Sequence, residues 1–352
     1  MFDLTREYQF KLKSMPRGRD STAPITNTCR IPYSTVTVDY NSNCFICSCD
    51  GWLPIPVGRV QDFASLEEVW ESPVAKILQD DIDKKKFTWC AVDHCNIKRT
   101  SLALAKHTLK INIDESCNLT CPSCRREPTM HSAGSYYDTK LQDVHHILTW
   151  LEKFNRPLTI TLSGNGDPFA SHIIRPLIQS YQPNPKHNFQ FKTNGLLLKK
   201  QLSTSPLLPC VETMEISVDA GSKGVYEDVR RPGKWEVLLD NLEYLKEINL
   251  GKKTTLYFCL QDKNYKDLPA FSELCSSYGF KGGVHQLDDW GTWNTAAVKN
   301  PDTWTIANGT FADHNIINPT HPKHKDMISV LKSCNNPKLT FSPYLQRLIY
   351  NE

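Results

Sequence analysis

The spacing of apolar residues changes character near residue 106 of this chain. Downstream of that point, short stretches at 108–114, 157–163, 188–193, 211–219, 254–261 and 283–288 read as strands. Between them apolar residues fall at helical spacing, with Leu141, Val144, Leu148 and Leu151 on one face of the first such segment and Leu238, Leu242, Leu245 and Ile248 on another. A further segment carrying Leu268, Phe271, Leu274, Cys275 and Tyr278 ends at Gly279, a residue suited to a helix C-cap. Strands alternating with helices predict a parallel sheet with crossover connections. Six such steps predict an α/β fold, a partial (β/α)6 TIM-like barrel over residues 106–293, open on one side.

The flanks are patterned differently. Residues 1–28 are polar, with scattered Arg and Lys and no sustained period, and read as a loosely docked arm. Within 29–105, Thr35 to Tyr40 alternates like a strand and Cys44 to Cys49 falls on the returning arm of a hairpin. Ser65-Leu66-Glu67-Glu68 has the capping-box pattern, and Leu66, Val69, Trp70, Val74, Ile77 and Leu78 follow at helical spacing, divided at Pro73. Residues 294–352 have weak periodicity, a short helix at 325–333, and read as an extension over the barrel's open side.

Composition narrows the class. With 39% hydrophobic residues the chain can bury an ordinary core, and a net charge of +3 announces neither a nucleic-acid nor a membrane partner. No run approaches the roughly 18 apolar residues of a membrane span, and the first thirty residues lack a signal-peptide core, so a cytoplasmic protein is expected. Thirteen cysteines without an export signal point to thiols kept reduced for metals.

The cysteines fall into groups. Cys117, Cys121 and Cys124 stand in C-x3-C-x2-C spacing after the first barrel strand, enough thiolates for three corners of one metal centre and one short of a closed site. The other unusual residues also follow strand ends: Ser163 to Pro168, Thr193-Asn194-Gly195, Ser217 to Gly221, Gln261 to Asn264, and Asp288 to Trp293. Parallel-sheet enzymes build their sites at this carboxyl rim. Alternation places Lys110, Asn112 and Asp114, then Thr159, Thr161 and Ser163, then Glu215, Ser217 and Asp219 on single strand faces, which predicts a polar lumen.

This ordered set resembles the radical S-adenosylmethionine (SAM) enzymes. The resemblance implies a 4Fe-4S cluster on Cys117, Cys121 and Cys124, with SAM on the fourth iron, cleaved to a 5'-deoxyadenosyl radical that abstracts a substrate hydrogen atom. It further implies that Gly166 and Asp167 receive the methionine ammonium, Asp167 being one methylene shorter than the commoner glutamate. Ser217 and Asp219 fall near the ribose and methionine, Arg230 pairs with the methionine carboxylate, Asn194 lies on the ribose side, and Ser123 meets adenine through its backbone.

The segment 29–105 resembles a shortened SPASM domain, carried by Trp52-Leu53-Pro54, Pro56-Val57-Gly58-Arg59, the Ser65 to Trp70 helix and the cysteines around them. That likeness implies a second, auxiliary 4Fe-4S cluster on Cys29, Cys47, Cys90 and Cys95, with Cys49 able to replace Cys47 and Cys44 a bystander. In most relatives the module follows the barrel, and here it precedes it. Zinc suits four thiolates equally well.

Each residue also has a plainer reading. Gly164 and Gly166 permit a tight turn, Asp167-Pro168 starts a helix, Asp219 caps a turn, and Arg230 is a surface cation. Cys210, Cys259, Cys275 and Cys334 read as small buried apolar residues, although Cys259 shares a face with Tyr257 and Gln261 and is placed to give a substrate radical a hydrogen atom. His145 and His146 read as structural, and Trp290 and Trp293 either stack on substrate or seal the rim. The functional expectation is a radical SAM oxidoreductase acting on a peptide side chain or a small molecule, with a reducing donor such as flavodoxin or ferredoxin. Rival readings are dehydrogenation of a carbohydrate-like alcohol, an RNA-modifying radical enzyme and a non-catalytic zinc-stabilised binding protein.

Overall fold

The computed structural model describes residues 25–48, 52–92, 95, 97, 100–102, 106–289, 308–334 and 336–350. Cys49, Trp290, Trp293 and most of the N-terminal arm lie outside them. Three short strands come first, β1 (Thr35–Val38), β2 (Asn43–Phe45) and β3 (Gly58–Arg59), followed by α1 (Leu66–Glu71) and α2 (Pro73–Asp83). The repeats follow as β4 (His107–Ile111), α3 (Ser135–Lys153), β5 (Leu158–Leu162), α4 (Arg175–Gln179), β6 (His187–Thr193), α5 (Leu198–Leu202), β7 (Val211–Ser217), α6 (Lys223–Val229), α7 (Trp235–Glu247), β8 (Thr254–Leu260), α8 (Leu268–Tyr278) and β9 (Lys281–Gln286). After them come α9 (Phe311–His314), α10 (His324–Ser333), β10 (Leu339–Phe341) and α11 (Pro343–Tyr350).

The strands form one ten-stranded sheet in the order β10-β9-β8-β7-β6-β5-β4-β1-β2-β3. β4 to β9 run parallel in sequence order, the partial TIM-like barrel that the alternating pattern predicts. Two strands from outside it extend the parallel run. β1 lies parallel to β4 with Val38 opposite Ile111, and β10 lies parallel to β9 with Phe341 opposite Val284.

Local chemistry explains the helix starts. Ser65 Oγ accepts from the Glu68 amide at 3.4 Å, while the Glu68 carboxylate takes the Ala64 amide at 2.7 Å. Ser72 caps α2 in turn, with Pro73 at the first helical position, where its missing N–H costs nothing.

One face of the barrel strands is apolar and fully covered by helices: Leu109, Ile160, Phe191, Ile216 and Phe258 are all 0% exposed. The other face lines the lumen. Register places Thr37, Lys110, Thr161, Gln190 and Thr213 side by side across five strands, and Thr161 Oγ1 donates to Gln190 Oε1 at 3.2 Å. The same layer holds the cysteine-rich segment against the barrel, because Thr37 Oγ1 donates to the Cys47 carbonyl at 2.6 Å and Lys110 Nζ to the Ser48 carbonyl at 2.8 Å.

On the outer side, Trp150 Nε1 donates to the Phe63 carbonyl at 2.8 Å, and a His146 ring nitrogen meets the same oxygen at 2.6 Å. Buried Asp143 accepts from Ser42 Oγ at 2.5 Å and Gln61 Nε2 at 2.7 Å, while Lys140 Nζ donates to Ser42 Oγ.

His187 supplies a pH-dependent contribution to stability. It is 0% exposed, with one ring nitrogen 2.8 Å from the Phe154 carbonyl and the other 3.1 Å from the Tyr181 hydroxyl, an arrangement that suits a neutral imidazole. Burial lowers its pKa, against the opposing pull of the Phe154 carbonyl. An unfolded histidine titrates near about 6.5, so below that pH the unfolded chain binds a proton that the folded chain resists, and stability is lost as pH falls. The melting temperature is expected to be lower at pH 5 than at pH 7.5. In His187→Gln, which keeps a donor and an acceptor, that difference is expected to shrink; an unchanged difference would place the effect on other groups.

Candidate active site

The loop after β4 carries the three cysteines, and neighbouring rim loops fix its shape. The Cys117 amide donates to the Thr129 carbonyl at 2.8 Å, the Thr120 amide to the Arg231 carbonyl at 2.6 Å, and the Cys124 and Arg125 amides to the Cys121 carbonyl at 2.9 and 3.1 Å. Cys121 is buried, Cys117 half-buried and Cys124 exposed.

Gly166 is where the second rim loop meets the first. A Cβ there would lie 2.3 Å from the Ser116 carbonyl oxygen and 2.7 Å from the Glu115 carbonyl carbon, so only glycine admits this backbone approach. The next amide, Asp167 N, donates to the same Ser116 oxygen at 2.8 Å. Gly164, by contrast, does have the left-handed φ of a tight turn, at +123°.

Cations and amides crowd the thiols. Asn194 Nδ2 points at Cys117 Sγ from 3.8 Å and donates to Asn118 Oδ1 at 2.9 Å. Arg230 Nη1 lies 3.7 Å from Cys121 Sγ, and its Nη2 is 2.5 Å from Asp219 Oδ2. Arg125 donates to the carbonyls of Glu115, at 2.7 Å, and Asn165, and lies in the field of all three thiols. Burial raises the Cys117 and Cys121 pKa values, the latter to about 12, with Arg230 pulling Cys121 the other way.

Asp219 adopts a left-handed φ of +58°, which aspartate tolerates better than most residues. Its Oδ1 accepts from the Cys259 amide at 2.7 Å. Burial pushes its pKa up and Arg230 opposes this; for Arg230, burial works against the charge, but Asp219 and Cys121 outweigh it and raise the pKa. The pair is therefore a desolvated ion pair, and the plainer reading of Arg230 as a surface cation does not hold, since its side chain is 15% exposed.

Asp167 is 3% exposed, and its carboxylate is already filled. One oxygen accepts from Thr193 Oγ1 at 2.8 Å and the Asn194 amide at 2.7 Å, the other from the Phe169 and Ala170 amides at 3.0 and 3.2 Å. Four donors match the lone-pair capacity of a carboxylate, so here Asp167 ties the loops after β5 and β6 together. Ser123 and Ser217 are half-buried on the loop after β4 and at the end of β7. Cys259 sits beside Asp219 with its thiol 3.7 Å from the Gln286 carbonyl, and within the field of Cys124.

The second cysteine group also converges. Cys29, Cys47, Cys90 and Cys95 line one cavity, walled otherwise by apolar side chains such as Trp52, Leu53 and Phe87. Burial raises the Cys90 pKa, and the charges of Cys47, Cys29 and Cys95 push it the same way. Cys44, on the neighbouring strand position, is fully buried and is not part of that lining.

Among the described residues, no three His, Cys, Asp or Glu side chains are gathered around one point that a single ion could take. A cuboidal cluster makes a different demand, one thiolate for each of its separate corner irons. Three thiols sharing a loop, with two guanidiniums and an amide directed at them, match the anionic charge of such a group.

The radical SAM superfamily profile matches residues 111–275. The chain carries a radical SAM domain. A probable GTP 3',8-cyclase of Methanocaldococcus jannaschii is 24% identical over 172 residues, 49% of this chain, and the chain spans only 56% of that relative's length. Among solved structures, Streptococcus suis SuiB bound to precursor peptide SuiA is 14% identical, with a TM-score of 0.37 over 62% of this chain and 54% of SuiB. A radical SAM methyltransferase from Sphaerobacter thermophilus is 13% identical, with a TM-score of 0.39 over 67% and 66% of the two chains. The matched domain family is one whose members use an iron–sulfur cluster and SAM. No helix among the described residues is long and apolar enough to cross a membrane.

Two contributors escaped the sequence reading. Arg125 directly follows the third cysteine, and that adjacency was the available signal. Tyr226 stands four residues before Arg230 at the end of α6, a spacing that puts both side chains on one face.

Proposed function

We propose that the chain is a cytoplasmic radical SAM oxidoreductase with two 4Fe-4S clusters, the catalytic one on Cys117, Cys121 and Cys124 and an auxiliary one on Cys29, Cys47, Cys90 and Cys95. The single observation that carries this reading is the convergence of the four outlying thiols on one cavity whose Cys47-Ser48 wall is hydrogen-bonded to the lumen residues Thr37 and Lys110. When bound, the catalytic cluster supplies the electron that cleaves SAM and so starts hydrogen-atom abstraction, while the auxiliary cluster supplies an acceptor for the second electron of an oxidation.

The chain's own residues do the positioning. Gly166 lets the two rim loops meet, Asp167 and Asn194 fix the loop beyond, and Arg230 with Asp219 presents a buried charge pair that would hold the methionine end of SAM. Asp167 reaches an ammonium only by releasing one of its present donors. Ser123, Asn194 and Ser217 are the residues that would meet the adenine and ribose.

An auxiliary acceptor next to the lumen supports dehydrogenation or cross-linking of a peptide side chain, with electrons supplied by a flavodoxin- or ferredoxin-like donor. The polar layer from Thr37 to Thr213 favours a second reading, oxidation of a carbohydrate-like alcohol. Both are tested alike at the level of cofactors. Anoxic reconstitution is expected to give about eight irons per chain and cleavage of SAM to 5'-deoxyadenosine. Cys90→Ala is expected to bring the iron to about four while SAM cleavage persists and substrate oxidation is lost. Four irons in the unmodified chain would overturn the two-cluster reading.

A further inference from the structure

A cleft opens on the carboxyl rim outside the cysteine loop. β1 runs parallel to β4, so the turn that follows it, Tyr40-Asn41, reaches the same end of the sheet as the three cysteines. Between that turn, Arg59 on β3 and the first turns of α3 lies a space of about 590 Å³, whose lining includes Tyr40, Asn41, Arg59, Tyr136, Thr139 and Lys140. Its wall is one ring away from the cysteine loop. Tyr136 packs on His131 with centroids 4.2 Å apart, and a His131 ring nitrogen is 3.3 Å from Glu115 Oε1, two residues before Cys117.

Two cations line this cleft without a carboxylate on either. Arg59 Nη2 donates to the Asn41 carbonyl at 3.3 Å and Lys140 Nζ to Ser42 Oγ at 2.6 Å, and among the described residues neither makes an ion pair. The nearby carboxylates are turned to other donors. Asp39 takes the Asn41 and Asn43 amides and Asn43 Nδ2, Asp62 takes the Arg59 amide, and Asp143 takes Ser42 Oγ and Gln61 Nε2. Lys140 is only 5% exposed, and lysine is almost never buried so deeply unless it is paired. Burial lowers its pKa, Asp143 and Asp39 oppose this, and Arg59 adds to the lowering. A buried ammonium with three donors, one acceptor and a guanidinium on the same cleft wall calls for a counter-charge.

We propose that the cleft binds an oxyanion of the substrate, a carboxylate or a phosphate group, with Arg59 and Lys140 as its counter-charges. The space exceeds what a lone anion fills and leaves room beside Tyr40 and Tyr136 for the rest of the molecule. This deepens the radical SAM reading, on which it rests for the ligand being the substrate.

The test is calorimetric titration of the full chain with inorganic phosphate and, separately, with N-acetylglutamate, N-acetylglutamine serving as the neutral control. Saturable binding of phosphate alone points to a phosphorylated substrate, of N-acetylglutamate alone to a carboxylate, and of both to a site that either group enters. Arg59→Gln, at an exposed position, is expected to weaken the binding about tenfold, the size of one hydrogen bond to a charged group. Thr139→Glu brings a carboxylate into the cleft from an exposed helical position and is expected to abolish binding, whereas Thr139→Gln, of the same size, is expected to keep it. Saturable binding of neither anion overturns the proposal, as does equal binding of N-acetylglutamine, or binding that Arg59→Gln and Thr139→Glu leave unchanged. The titration needs neither cluster nor SAM, so its failure leaves the cysteine ligands standing, and a chain that binds no cluster leaves the result at the cleft intact.

Discussion

Replacing Cys121 with alanine is expected to lower the iron of the anoxically reconstituted chain from about eight to about four atoms and to abolish 5'-deoxyadenosine formation. Cys121 is the innermost of the three thiols, at 5% exposure, and the one to which Arg230 points. On the proposed assignment its loss leaves two ligands on the loop, too few to hold a cluster that would already lack a protein ligand on one iron, and it leaves Arg230 Nη1 without the sulfur it faces. Cys124, exposed at the loop's outer side, is the proposed ligand that solvent or added thiol would replace most easily. Cys121 has no such substitute, so a fall of at least about a thousandfold in SAM cleavage is the expected outcome, the scale of a lost catalytic group. Cys44→Ala, which removes a still more deeply buried thiol outside both groups, is the control and is expected to keep both iron and cleavage. SAM cleavage by Cys121→Ala at the parent rate would remove the cluster from this loop.

The barrel was legible because its strands are two-faced. Each carries apolar residues at alternate positions against helices and polar ones toward the lumen, and β4 to β9 form within a few residues of the stretches that show this alternation. The pairing of β1 with β4 was not legible. Thr35 to Val38 announces a strand but not its neighbour, and here all four of its residues are buried, Val36 and Val38 in the core and Thr37 against the Cys47 carbonyl. β10 is three residues long and belongs to a stretch with little period, so its place beside β9 is set by the sheet edge and not by its own sequence.

At the site, the cysteine spacing and the glycine after β5 were readable because their constraint is local. What each side chain touches was not. The resemblance gives the Asp167 carboxylate an ammonium to receive, and nothing in the sequence around it announces Thr193, Asn194, Phe169 and Ala170, the partners from two different loops that its oxygens take within the chain. The buried hydroxyl of Tyr226, without a partner among the described residues, is likewise a property of the packed site and of no single segment.

Removing one member of the Arg230–Asp219 pair is expected to separate stability from function. Arg230→Met keeps a long apolar stem but leaves Asp219, at 2% exposure, with only the Cys259 amide among the described residues to offset a buried negative charge. Breaking a buried ion pair from one side costs about 3–5 kcal/mol, so a substantial fall in melting temperature is expected at neutral pH. The sign of the pH dependence follows from the burial that already raises the Asp219 pKa. Without the guanidinium that pKa rises further above its unfolded value near about 3.9, the folded chain binds a proton that the unfolded chain does not, and stability falls as pH increases. Arg230→Met is therefore expected to approach the parent at pH 5 and to diverge from it at pH 8, measured by thermal or urea unfolding. Adding Asp219→Asn removes the orphan charge, keeps an acceptor for the Cys259 amide, and suits the left-handed backbone at this position. The double variant is expected to regain most of the lost stability while SAM binding stays impaired, because the charge pair proposed to orient the methionine end is gone. Equal stability of Arg230→Met and the parent across this pH range would show that the pair is solvated, and with it the case for a desolvated anchor at the mouth of the barrel would fail.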